Sequence, residues 1–185
     1  MIRDILVRPG RFFRDFAGNV PVAKTFFFSY GMPLMTLGAT GRMVRVMNQF
    51  AQDGTAPGGA YLSGIFLVSL TAYILSVWLG ARIIARLAGA FGSEQDAGKS
   101  MLLCIIAYTP LMLAQLLAAL GPAMEPVWFV GLIYAAFIFG KGTGPLLRTP
   151  THKTLGFTLI GFFVLFGISA VSIYIFSALF IFGAL

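Results

Sequence analysis

Residues 101–126 read MLLCIIAYTPLMLAQLLAALGPAMEP, and the first twenty of them decide what kind of molecule this is. They contain no Asp, Glu, Lys, Arg or His. A bilayer core about 30 Å thick is crossed by roughly 20 apolar residues of helix, each rising about 1.5 Å. This stretch is therefore long enough to span. Gly121-Pro122 ends the helix, and Glu125-Pro126 just beyond it sets the start of another. The next apolar run, residues 126–140, must return beside the first as its antiparallel neighbour.

Three more runs of the same kind flank this pair, at residues 25–40, 61–81 and 154–185. The expected fold is all-α, an integral membrane bundle of five transmembrane helices with a short amphipathic N-terminal interfacial segment. The first and fourth runs are short unless they extend into the head-group region, and the fifth is longer than a span requires. Composition agrees: 58% of residues are apolar, 10% are charged, and the mean hydropathy is +0.90. Soluble domains carry roughly a quarter charged residues. The organisation expected is a basic arm over residues 1–20 followed by one five-helix domain over 21–185. No compact apolar core precedes a small-residue cleavage site, so the first span is expected to be retained.

Basic residues orient such a bundle, because cytoplasmic loops are enriched in Lys and Arg. Arg3, Arg8, Arg11, Arg14 and Lys24 precede the first run; Arg82, Arg86 and Lys99 lie between the second and third; Lys141, Arg148 and Lys153 lie between the fourth and fifth. Only Arg42 and Arg45 fall on the other side. The expectation is an N-terminus inside and a C-terminus outside. The net charge of +7 is spent on these flanks. No basic cluster stands apart from a membrane segment, so membrane lipids, and not nucleic acid, are the expected partner.

Residues 1–20 combine Ile2, Ile5, Leu6, Phe12, Phe13 and Phe16 with four arginines, broken at Pro9-Gly10. One reading is a pair of short amphipathic helices in the cytoplasmic interface, rings towards the acyl chains and Arg3, Arg8, Arg11 and Arg14 on lipid phosphates. The other is an ordinary topology flank. Arg42, Arg45 and Phe50, followed by the flexible residues 53–59, read as a surface connector.

Ionisable side chains within a membrane mark ion paths and proton relays, and none lies in the five runs. A proton-coupled transporter or charged-ring channel is disfavoured. Gln115 is the most polar side chain in any run and needs a partner for its amide. Tyr108-Thr109-Pro110 lies one and a half turns earlier, and Pro110 frees the carbonyl near Ile106. Helix packing is one role for Tyr108, Thr109, Pro110 and Gln115; lining a pathway is the other. The lone Cys104 reads as an inert buried thiol. The lone His152 reads as a loop residue that cannot build a histidine metal site. Ser93, Glu94 and Asp96 read as a cap ahead of the third run. The sequence around Lys141 departs from phosphate-loop spacing. No metal, no other cofactor and no catalytic constellation is expected.

Four elements resemble the Yip (type one) membrane-domain family. They are Val7-Arg8-Pro9-Gly10-Arg11-Phe12-Phe13 before the first span, Ala90-Phe91-Gly92-Ser93 after the second, Ala107-Tyr108-Thr109-Pro110 in the third, and Arg148-Thr149-Pro150-Thr151-His152-Lys153 before the fifth. The resemblance implies a five-helix bundle with a cytoplasmic N-terminus. Eukaryotic members act through Ypt/Rab GTPases, but the short arm lacks that branch's Asp-Leu-Tyr-Gly-Pro signature, so GTPase binding is not carried over. The arm and compact loops look like those of the bacterial branch, in the inner (cytoplasmic) membrane. The expected function is a non-enzymatic scaffold that binds anionic lipid or an unidentified membrane or cytoplasmic protein, as a homo-oligomer. The alternative is a channel or transporter for a neutral or lipidic substrate.

Overall fold

A computed structural model describes residues 1–18 and 20–183, with side chains described through residue 178. Among the described residues every regular element is helical. Two short helices, α1 (Ile2–Val7) and α2 (Pro9–Ala17), form the arm. A helical run follows in which α3 (Ala23–Phe26) passes through a π-turn at Phe27–Gly31 into α4 (Met32–Gln52). The remaining long helices are α5 (Gly59–Ala90), α6 (Ala97–Ala118), α7 (Glu125–Leu147) and α8 (Thr154–Gly183).

Among the described residues four stretches are long and apolar enough to cross a membrane: Gly59–Ala90, Ala97–Ala118, Pro122–Leu147 and Thr151–Ala178. The run expected as a first span, residues 25–40, lies in the α3–α4 helix but is not among them. Its apolar residues are diluted by Ser29, Tyr30, Pro33, Thr36 and Thr40. It is instead amphipathic, burying Leu34, Met35, Gly38, Ala39 and Gly41 on one face.

The buried share of each stretch identifies the centre. It is 78% for α6 but 33% or less for the other three. Helices α4, α5 and α7 pack directly on α6, and α8 closes the bundle against α5 and α7. The largest interface joins α6 to α7, the antiparallel pair set by the Gly121-Pro122 break. Lipid tails are as apolar as leucine, so close packing has to hold these helices together. Gly131 of α7 supplies it: a Cβ there would lie 2.3 Å from the Ala114 Cβ and 3.0 Å from the Pro110 carbonyl oxygen. Gly41 of α4 does the same, with its missing Cβ 3.0 Å from the Gln115 backbone. In α8, Gly161 receives the Phe139 ring within the same chain, whereas Gly167 faces open space.

The arm departs from the interfacial reading. Ile5 and Phe13 are fully buried, and the Phe13 ring fills the recess left by Gly142 on α7. The Tyr134 hydroxyl donates to the Leu6 carbonyl. Ring contacts continue from Phe12 to Phe16 (5.2 Å), Phe26 (5.6 Å) and Tyr30 (5.2 Å). The buried rings are thus turned into protein, because the glycine recess accepts them with closer contact than fluid acyl chains provide. Arg3, Arg8, Arg11 and Arg14 all remain exposed.

The expected cap also resolves differently. Asp96 caps α6, its carboxylate accepting the Lys99 N–H at 3.0 Å. Ser93 instead bonds the Thr149 hydroxyl at 2.9 Å, and Glu94 pairs with Lys99 (2.6 Å) and Arg148 (3.6 Å).

If backbone approach at Gly131 holds the central pair, Gly131→Leu destabilises the protein by about 1–3 kcal/mol or more. Gly144, which has nothing within 4 Å, gives the control Gly144→Leu. Thermal unfolding in one detergent compares the two; equal melting temperatures would contradict the packing.

Candidate functional site

Hydroxyls inside an apolar bundle have no water to bond and must find partners in neighbouring helices. Tyr108, fully buried on α6, bonds the Ser169 hydroxyl of α8. Ser169 donates to Ser76 of α5 at 2.8 Å, and Ser76 donates to its own helix at the Ala72 carbonyl, 2.6 Å away. Each hydroxyl has one proton, so the order of donation runs from Tyr108 through Ser169 and Ser76 to the backbone. The chain ties three helices together. Thr109, the next residue, bonds the Tyr30 hydroxyl at 2.8 Å and so ties the π-turn to α6. Helix α6 continues unbroken through Pro110, whose carbonyl lies against Gly131.

Gln115 differs from these. Its side chain is only 5% exposed, yet among the described residues its amide has no hydrogen-bond partner. It faces a cavity of about 520 Å³ towards the Gly121 end of α6, where α4, α7 and α8 diverge. Tyr73, Leu111, Trp128, Leu132, Phe166 and Ile173 supply the large apolar and aromatic side chains of its wall. Ser169 is in the lining, so the cavity stops on the hydroxyl chain and Tyr108 closes it beneath. Arg42 and Arg45 stand at the mouth.

The two arginines are not equivalent. Arg45 is held by Glu125 at the start of α7 through two bonds, one of them Nε to Oε1 at 2.7 Å. Such a forked pair fixes the guanidinium and cancels its charge. Partial burial, and then the charge of Arg42, lower the Arg45 pKa from its ordinary value, although an arginine stays protonated. Asn48 adds a clamp on the same side, donating to the Ala119 carbonyl at 2.6 Å at the end of α6. Arg42 has no carboxylate partner among the described residues; it lies beside the Tyr73 hydroxyl. The mouth therefore carries one uncompensated positive charge.

At the opposite end of the bundle the Gly92-Ser93 turn and the loop at Thr149-Pro150 meet. Gly92 has a φ of +68°, and a Cβ on it would sit 3.8 Å from the Pro150 ring. The Ser93–Thr149 bond and the Glu94 carboxylate lock the two loops together. The model of the Yip1 domain matches residues 3–183. This chain belongs to the Yip1 domain family. Neither the curated proteins nor the solved structures gave a match to it. In this Yip1-domain protein the four motif segments take two places. The arm and the two loops build the end opposite the cavity, and Ala107-Tyr108-Thr109-Pro110 builds the floor of the cavity.

The structure brings Gln115 to the cavity and leaves Tyr108, Thr109 and Pro110 as packing contacts beneath it. Arg3, Arg8, Arg11 and Arg14 lie at the other end. The mouth arginines are the residues that sequence reading missed, because a pair three apart past an apolar run looks like an ordinary loop flank. Within the hydroxyl chain, a double-mutant cycle on Tyr108→Phe and Ser169→Ala should give a coupling of about 0.5–1.5 kcal/mol in chemical unfolding. Additive effects would mean that the bond contributes nothing.

Proposed function

We propose that this Yip1-domain protein is a non-enzymatic scaffold of the bacterial inner membrane, holding anionic lipid head groups and partner proteins on a rigid basic face. The observation that carries this reading is the docked arm. Ile5 and Phe13 anchor it in the core while Arg3, Arg8, Arg11 and Arg14 project outward. Asp4 and Asp15 offset part of their charge; the Arg11–Asp15 pair, at 3.9 Å, is exposed and contributes little. Arginines fixed on a platform lose less freedom on meeting phosphates than arginines on a loose tail.

The topology proposed has five spans, the fifth crossing being supplied by the amphipathic α3–α4 helix packed on α6. Eleven basic residues on one side against Arg42 and Arg45 on the other support a cytoplasmic N-terminus and an outward C-terminus. Arg82 stacked 3.5 Å over the Trp78 ring marks a boundary at the inner end of α5. The open Gly167 face of α8 offers a site for homo-oligomer contact. A non-enzymatic role is supported by the buried hydroxyls, whose protons go to carbonyls and other hydroxyls with no base beside them. A second reading, passage of a neutral or lipidic substrate, is favoured by the cavity, although its floor on the hydroxyl chain is closed.

The test compares wild type with the variant carrying Arg3, Arg8, Arg11 and Arg14 all replaced by Gln, in nanodiscs of mixed phosphatidylglycerol and phosphatidylcholine. The lipid co-purifying after detergent extraction is counted by mass spectrometry. The variant should lose phosphatidylglycerol several-fold and keep phosphatidylcholine. Unchanged phosphatidylglycerol would sink the lipid-binding role.

A further inference from the structure

We infer that the cavity at the Gly121 end of α6 is a binding site for a single anionic phospholipid, its phosphate on Arg42, its glycerol-ester region on Gln115 and an acyl chain between α7 and α8. This site is separate from the basic arm and does not rest on the role proposed for it.

Three features select the ligand. First, the charge at the mouth is unevenly committed: Glu125 neutralises Arg45 and leaves Arg42 free beside the Tyr73 hydroxyl. An anionic oxygen placed there accepts from a guanidinium and a phenol together. Second, Gln115 is only 5% exposed as a residue, lines the cavity and has no hydrogen bond to its amide among the described residues. An amide so placed calls for a ligand with polar groups close beside its charged end. An ester carbonyl meets that need. The registry is right, because Gly41, the residue before Arg42, touches the Gln115 backbone, so the two groups stand at one level of the bundle.

Third, apart from Arg45, Gln49 and Ser169 the rest of the lining is apolar. Helices α7 and α8 touch where Gly140 meets Thr158 and Gly161 meets Phe139, and these contacts lie towards the end that carries the arm. Towards the other end Trp128 and Leu132 of α7 and Ile173 of α8 line the cavity, and all three are partly exposed. An acyl chain laid along them reaches the bilayer. A free phosphate would satisfy Arg42 but leave the apolar wall uncovered. The volume of about 520 Å³ falls within the range of sites that enclose small organic ligands.

The chain has two tryptophans, and one of them lines the cavity. In the Trp78→Phe protein Trp128 alone fluoresces, and phospholipid brominated in its acyl chains quenches a tryptophan in contact with it. The delipidated full chain in detergent is titrated with brominated phosphatidylglycerol and with brominated phosphatidylcholine; native mass spectrometry counts the bound lipid. The expected result is saturable quenching at one phosphatidylglycerol per chain, with phosphatidylcholine at least tenfold weaker. Arg42→Gln should remove that preference, while Arg42→Lys keeps most of it. Gln115→Leu, close in size, should weaken both lipids. The four-arginine arm variant should bind as wild type. Equal quenching by both lipids, unchanged in Arg42→Gln, would show bulk lipid contact and overturn the site. Displacement of the lipid by millimolar inorganic phosphate would make it a free-anion site and overturn the lipid assignment. Loss of binding in the arm variant would place the lipid at the opposite face and do the same.

Discussion

Close approach of neighbouring backbones to α6 is the contact on which everything else in this bundle depends. With acyl chains as solvent, a helix gains little by hiding leucine from its surroundings, and what draws it to a partner is dense packing and hydrogen bonding. Gly131 and Gly41 remove the side chains that would hold α7 and α4 away from α6. Once α6 is enclosed, the polar groups in its middle turns have only neighbouring helices to bond. Tyr108 and Thr109 are met; Gln115, placed where the enclosing helices diverge, is left facing a cavity.

The two ends of the bundle use the same devices differently. At the end that carries the arm, aromatic packing and paired charges make a rigid surface: Phe13 fills the recess of Gly142, and Glu94 lies between Lys99 and Arg148. The exposed arginines rest on that platform. At the other end a single forked pair, Arg45 with Glu125, fixes α4 to α7 and leaves Arg42 over open volume. One end presents charge on a solid face, and the other presents charge over a hollow.

Much of the bundle was legible in the sequence, because long chargeless runs and the Gly121-Pro122 break act locally. The antiparallel α6–α7 pair and the Asp96 cap follow from neighbouring residues alone. The arm was not legible in the same way. Its alternation of phenylalanine and arginine fits a lipid surface as well as a protein surface, and only the recess at Gly142, about 130 residues away in sequence, decides between them. The run at residues 25–40 was ambiguous for a related reason. Its hydroxylated residues lower its hydropathy, while its glycines, Gly31 and Gly38, lie against Ile105 and Met112 and let it pack on α6. For the site, Gln115 stood out as a costly polar group in an apolar helix. The hollow beside it did not, since a cavity made by five diverging helices has no signature in any one of them.

The central claim is that α6 is sheathed by protein while the helices around it face lipid. Labelling with a diazirine confined to the bilayer core, followed by peptide mass spectrometry, tests it directly. Label should fall on exposed positions such as Phe129, Ile133 and Phe163, and on Phe28 and Leu37 of the α3–α4 helix, with none on residues 102–110. Label along residues 102–110 would contradict the account, because a central helix open to lipid could support neither the hydroxyl chain nor the cavity above it.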